Sequence, residues 1–357
     1  MLRNRVGRLT ATVLAGAMVT LGVAACGGDN SSAKPAEGGS EKPAESTGAK
    51  VGLAYDIGGR GDQSFNDSAA AGLDKAKAEL KLPEAKEMTA SPGETEAKKE
   101  ERLRLLADQG FNPILAVGFA YSGSVKKVAA EFPDVKFAII DDAAATGPNI
   151  SNLVFAEHEG SFLVGVAAAL KSKKKNIGFV GGVQVPLIEK FEAGFTAGAK
   201  AVNKDIKVQS KYLTQPPEFS GFNDPAKGKT VAEGMIDAGA DVVYHAAGGS
   251  GGGVFEAAKA GDAQAIGVDA DQALTADAGV KDVIMTSMLK KLDVAVFDFL
   301  KSYAGGTVKA GETVYDLKVS GVDYSVTGGK VDDIKDKLEE YKKKIISGEI
   351  KVPSTNP

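Results

Sequence analysis

The chain has 357 residues, with 43 basic and 47 acidic side chains and a formal charge of −4. Without a basic surplus, nucleic acid is not an expected partner. A single cysteine, Cys26, excludes an intramolecular disulfide, so any fold must stand on apolar packing.

The N-terminus has three parts. Arg3, Arg5 and Arg8 form a basic start, residues 9–25 are apolar or small, and Val23, Ala24 and Ala25 place small side chains before Cys26. Basic, apolar, then small is the layout of a secretory signal. An apolar run of about 17 residues is marginal for a stable membrane span. The small-small-Cys ending resembles the lipobox of bacterial lipoproteins, so 1–25 is expected to be a signal peptide and Cys26 the lipidated first residue of the mature chain. Loss of the three arginines takes the charge from −4 to −7. Residues 26–49 are rich in Gly, Ser, Pro, Ala, Glu and Lys without a large apolar side chain. Such a stretch buries too little to offset its ordering entropy and reads as a flexible tether.

From residue 50 onward, short β-rich runs alternate with helical patterns. Strands are expected at 51–55, 114–117, 136–140, 152–155, 176–180, 208–212, 241–244, 265–268 and 283–286. Helices are expected at 68–80, 94–109, 122–131, 160–171, 188–202, 226–238, 254–259 and 289–303. Alternation of this kind builds βαβ units and parallel sheets, and almost wholly apolar strands are those covered on both faces. Residues 314–326 read as a hairpin around Ser320 and Gly321, and 331–346 as a charged amphipathic helix. The remaining ~300 residues suit two domains better than one core. No later segment is long and apolar enough for a transmembrane helix.

Several chemical motifs fail on inspection. Gly228-Lys229-Thr230 resembles the end of a phosphate loop, but Asn223 stands where its first glycine is needed. The glycine run 248–253 lacks a dinucleotide spacing, because Val254 takes the last glycine position. His158 and His245 form no metal-binding pair, and no G-x-S-x-G elbow is present. Neither a catalytic residue, a metal nor a cofactor is expected.

Ligands of parallel α/β sheets bind beyond the carboxyl ends of the strands, which is where polar and aromatic residues gather here. Asp56 ends the first strand, and Ser64, Phe65 and Asn66 open the first helix, where Ser64 or Asn66 is a candidate cap. Asp141 ends a later strand. Phe222 precedes another helix in a similar context, with Phe219 as a rival ring. A lone phenylalanine is more often core, but two at loop–helix junctions suggest plates for a flat heterocycle, flanked by groups able to bond its edge. Gly248 permits close approach of a ligand to the backbone. Asp269 and Lys290, at neighbouring strand ends, read equally well as a salt bridge and as a pair gripping sugar hydroxyls.

At this point the sequence resembles a known family. GLAYD at 52–56, DQSFN at 62–66, FAEHEGSFLVG at 155–165, IGFVGG at 177–182, FEAGF at 191–195, FNDPAKG at 222–228, AGGSG at 247–251, GVDADQ at 267–272 and TSMLK at 286–290 are similar to segments of the basic membrane protein family. These bacterial solute-binding lipoproteins include purine nucleoside receptors of ABC importers. The resemblance implies an α/β, two-lobed type I periplasmic-binding fold with hinge strands, one lobe from 50–152 and 267–296 and the other from 153–266 and 297–357. It implies a base held between Phe65 and Phe222, with Asp56 and Asn66 at its edge. Asp269 and Lys290 would hold the ribose beside Gly248. Ser64 joins this ligand-binding set, and Asp141 and Glu192 match the pattern without an assigned contact. The expected partners are a nucleoside, an importer permease and the membrane, reached through Cys26, with a tethered monomer as the default. The rivals are the same fold binding another solute such as a sugar, and a ligand-sensing lipoprotein.

Overall fold

The structure, a computed structural model, describes residues 48–356. The signal segment 1–25, the lipidation site Cys26 and nearly all of the tether 26–49 lie outside the described residues.

The chain first lays down β1 (Lys50–Ile57), α1 (Phe65–Glu79), β2 (Glu84–Ala90), α2 (Glu96–Asp108), β3 (Ile114–Val117), α3 (Ser122–Glu131), β4 (Phe137–Ile140) and β5 (Ile150–Phe155). It continues with α4 (Glu157–Lys171), β6 (Asn176–Val183), α5 (Pro186–Val202), β7 (Lys207–Thr214), α6 (Pro225–Asp237), β8 (Val242–Ala246), α7 (Gly251–Ala260), β9 (Gln264–Asp269), α8 (Gln272–Thr275) and β10 (Ile284–Lys290). It ends with α9 (Leu292–Ala304), β11 (Gly311–Tyr315), β12 (Val322–Tyr324) and α10 (Lys335–Ile346). The strands form two six-stranded sheets, ordered β11-β5-β4-β3-β1-β2 and β12-β10-β9-β8-β6-β7. The first is parallel throughout, and in the second only β12 runs antiparallel, against β10.

Alternation along each strand explains why both faces are covered. In β1, Val51, Leu53 and Tyr55 join one apolar cluster and Ala54 another. In β4, Ala138 and Ile140 point one way and Phe137 and Ile139 the other. Val242, Tyr244 and Ala246 of β8 are likewise divided from Val243. A sheet sandwiched between helices requires this two-sided apolar pattern.

The lobes are interleaved in sequence, and here the expected boundaries need correction. Residues 284–290 pair with β9 in the second sheet, not the first. The first lobe is instead completed by α9, which packs on α1, and by β11, which pairs with β5. The expected hairpin at 314–326 is also absent: its two strands enter different sheets. The turn itself is present, with Ser320 at φ +58° and Gly321 N–H bonded to the Asp316 carbonyl. A Cβ on Gly321 would lie 2.3 Å from that of Tyr315. The chain thus turns tightly but leaves one sheet for the other, because β12 finds its partner in Met288–Lys290. The strand β2 carries no apolar run (EAKEMTA) and sits at a sheet edge, where only one neighbour has to be matched.

Backbone approach fixes the packing of α4 on α5. A Cβ on Gly165 would fall 2.2 Å from the Phe195 carbonyl oxygen, on Gly194 2.1 Å from that of His158, and on Gly198 2.0 Å from that of Phe162. No side chain fits at this crossing without separating the helices. Gly198→Val should therefore destabilise the protein by about 1–3 kcal/mol, the usual cost of overpacking. The midpoint of chemical denaturation measures this.

Candidate functional site

Three crossings join the lobes: between β5 and α4, between β10 and α9, and between β11 and β12. Above them the carboxyl ends of both sheets face one another across a cavity lined from both lobes. Of the residues singled out from sequence, Asp56, Phe65, Asn66, Asp141, Phe222, Gly248, Asp269 and Lys290 all line it. Ser64 stands behind the wall and donates to Asp269 Oδ2 at 2.6 Å.

The first lobe contributes a rigid loop. Ser64 occupies the N-cap position of α1, yet its side chain makes no cap bond. Asp62 does that work instead: Oδ1 accepts from the N–H groups of Ser64 and Asp67, and Oδ2 from the N–H and the side-chain amide of Asn66. The Asn66 amide also donates to the Ile57 carbonyl at 3.2 Å, and its oxygen accepts from the Asp56 N–H at 3.2 Å. Both Asn66 protons are therefore spent on the loop, and only its oxygen keeps free capacity toward the cavity. Asp56 lies against Gly118, whose φ of +105° and missing Cβ make room for the carboxylate. Burial pushes Asp56 up to about 6, against the opposing bond from the Ile57 N–H.

Aromatic rings come from both lobes. Phe65 projects from the start of α1, and Phe222 from a single 3-10 turn before α6. The Phe222 ring occupies space left by Gly182, where a Cβ would stand 2.5 Å away. Buried Ser250 holds this turn, donating to the Gly221 carbonyl at 2.8 Å and accepting from the Asp224 N–H at 2.7 Å. Phe119, not singled out from sequence, also lines the cavity and packs edge-on against Phe222 and Phe219, with ring centres 6.4 and 6.0 Å apart. Phe219 thus braces Phe119 and is not part of the lining. Glu192 lies apart, hydrogen-bonded to the hydroxyl of Tyr212.

At the base of the cleft Lys290 is 1% exposed. Its ammonium donates to Asp141 Oδ2 at 2.5 Å and makes an ion contact of 3.2 Å with Glu157 Oε1. It also lies 5.0–5.5 Å from the ring centres of Phe65, Phe155 and Phe191. Burial alone would pull the ammonium down, but Asp141, Glu157 and Asp269 outweigh it, and its pKa is raised. Burial pushes Asp141 up, with Lys290 pulling it back. Asp269 is pushed up to about 6 by burial, against Lys290 and the Ser64 hydroxyl. Asp269 and Lys290 are therefore not a direct pair: each carboxylate and the ammonium has its own partner. Asp141 and Asp269 both sit at positive φ, +65° and +63°. This strained geometry is held at the ends of two strands that face the cavity.

Asp62, Phe119, Phe191 and Glu157 fall within strand-end loops or family-like segments of the sequence, but the sequence assigns none of them a role in the site. An Asx-type cap three residues before the first helical residue is the available signal for Asp62. Nothing local marks Glu157, because its role comes from a strand end more than a hundred residues away. The two histidines stay apart from the lining. His158 packs its backbone on Gly194, and burial holds fully buried His245 down to about 4. Among the described residues no group of three or more His, Cys, Asp or Glu side chains is placed to hold a metal, and no helix is long and apolar enough to cross a membrane.

Two lobes around a lined cleft, joined by three crossings, define a solute-binding protein. Residues 49–356 match the family model of PnrA-like ABC transporter substrate-binding proteins, and the chain belongs to that family. It is 34% identical to a CD4+ T-cell-stimulating antigen of Listeria innocua over 99% of both chains. It is also 34% identical to the ABC transporter nucleoside-binding protein BmpA of Lactococcus lactis, over 86% of this chain and 90% of that one. Among solved structures, an ABC transporter solute-binding protein of Aeropyrum pernix superposes with a TM-score of 0.75 at 30% identity, covering 85% of this chain and 94% of that one. The family consists of substrate-binding components, not enzymes.

The raised Asp56 carries a stability consequence. Because the folded state holds this proton more tightly than the unfolded chain, its contribution is fully present below the ordinary carboxylate pKa of about 3.9 and is lost as pH rises through about 6. Asp56→Asn should therefore melt above the parent at pH 7.5 and with it at pH 4. Paired thermal melts at the two pH values check this.

Proposed function

We propose that the protein is the nucleoside-binding component of an ABC importer, held on the extracytoplasmic face of the membrane by lipid on Cys26. The observation that carries the reading is the pairing of Phe65 and Phe222, from opposite lobes, in one cavity with carboxylates at both ends. A base stacks between the rings, a contact insensitive to its substituents. The Asp56 carboxylate and the Asn66 oxygen accept from the base edge, which favours a base presenting N–H donors, as a purine does. Asp269, Asp141 and Lys290 offer acceptors and a donor to the sugar hydroxyls, with Ser64 fixing Asp269. Gly248, at φ +53° beside the Phe222 carbonyl, leaves space for the ligand next to the backbone. The named activity of the Lactococcus relative supports the same reading.

No covalent chemistry is involved. The lobes, one ending with β5 and resuming at α9 and β11, the other made of the rest, close on the ligand as rigid bodies about the crossings. The closed form is what the permease recognises, and the tether keeps it nearby without adding a contact.

Calorimetric titration with adenosine, guanosine, inosine, uridine and free ribose tests the ligand class. Saturable binding by at least one nucleoside and none by ribose is expected. A response to ribose alone moves the reading to a sugar receptor, and silence with all five refutes it. In a protein that binds, Phe222→Ala should weaken affinity by about 1–3 kcal/mol, the worth of one stacked ring. Cys26→Ser should shift the protein from the membrane to the soluble fraction and leave affinity unchanged.

A further inference from the structure

Besides the Asp141–Lys290 pair and the aromatic rings already described, hydrogen bonds between the lobes gather at one short stretch, Gln63-Ser64. Gln272, at the start of α8 in the second lobe, donates from its side-chain nitrogen to the Gln63 carbonyl at 3.0 Å. Thr275, on the same helix, stands 3.5 Å from that carbonyl. Gln272 is 2% exposed and does not line the cavity.

Its orientation is fixed without ambiguity. The Gln63 carbonyl can only accept, so it faces the amide nitrogen. The Val268 N–H can only donate, and it meets Gln272 Oε1 at 2.9 Å. His245 Nε2 lies 3.0 Å from the same oxygen and must therefore be a donor, which sets the histidine in its Nε2–H form. The ring is fully buried, stacked edge-on against Phe255, and packed where Gly251 has no Cβ. Burial keeps it neutral, so that form persists through the physiological range. The Gln272 backbone N–H donates to Ser287 Oγ at 3.1 Å. A buried scaffold in one lobe thus aims one donor at the other lobe. Its target immediately precedes Ser64, which bonds Asp269, and Phe65, whose ring lines the cavity.

We propose that Gln272, oriented by His245 and Val268, is an interlobe latch: a positioning residue that sets the balance between open and closed lobes and the residence time of a ligand it never touches. This inference rests on closure of the two lobes and not on the nucleoside reading. The latch stabilises the closed form with or without ligand, so it slows departure and does not speed arrival.

Gln272→Glu separates this role from a merely structural one. The carboxylate still accepts from Val268 and His245, so the scaffold within the second lobe is kept. When ionised it can no longer donate and sets a negative oxygen against the Gln63 carbonyl, so the variant is read at pH 9, where this buried carboxyl is charged. Spin labels placed one on each lobe of the full chain report closure without added ligand, and stopped-flow with guanosine reports exchange. The expected result is a shift to longer interlobe distances. With guanosine, dissociation should be about five- to tenfold faster, the scale of one hydrogen bond, and association no slower. A folded variant with an unchanged distance distribution overturns the latch, whatever dissociation does. If guanosine binds neither protein, that result counts against the nucleoside reading, and the distances still decide the latch. Should Gln272→Glu fail to fold, Gln272→Met removes the same donor without introducing charge; it also removes the acceptor used by Val268 and His245, and an unchanged distance distribution overturns the latch here too.

Discussion

The arrangement of the cleft depends on one buried cation. Lys290 closes the last long strand of the second lobe, at the second crossing, while its partner Asp141 ends a strand of the first lobe and Glu157 opens the helix after the first crossing. An ammonium this deep is costly unless it is paired, and removal of either side of such a pair leaves an uncompensated charge. The charge is met by two carboxylates directly, by Asp269 at longer range and by the faces of three rings. Two of the three connections between the lobes are thereby tied to a single point, and the cavity floor is placed at the hinge.

Above that floor the two halves of the site obey different rules. Toward Asp56 the loop is held by hydrogen bonds internal to one lobe: Asp62 caps, Asn66 braces, Gly118 makes room. That half is formed whether the lobes are open or shut. Toward Phe222 and Asp269 the contacts are between lobes, through Phe119, Ser64 and Gln272. This half is complete only on closure. Under the proposed function, a ligand meeting the first half alone is weakly held and the remainder of its binding is gained as the lobes meet.

The fold was legible where the strands are buried on both faces. The apolar runs of β3 and β4 and the amphipathic α3 show their limits almost to the residue, because burial dictates composition there. The polar edge strand β2 carried no such signal. The stretch around Ser320 and Gly321 has the chemistry of a turn, but a turn does not say which sheet its second strand joins, so a crossing was read as a hairpin. The allocation of β10 failed for the same reason: partner choice between two similar sheets is tertiary information. The cleft residues were legible because parallel sheets gather polar groups at strand ends, so Asp56, Asp141, Asp269 and Lys290 stood out. Their pairings were not, since Asp141 and Glu157 reach Lys290 from more than a hundred residues away. Phe119 was hidden as one more aromatic after an apolar strand.

The interleaving of the lobes bears on the order in which the molecule can be finished. The first sheet is bounded by β11 and the second by β12, and these are the last two strands of the chain. Neither sheet can acquire its final edge until almost all of the polypeptide is available. A chain built in this way cannot commit to its native form early, from its N-terminal half alone.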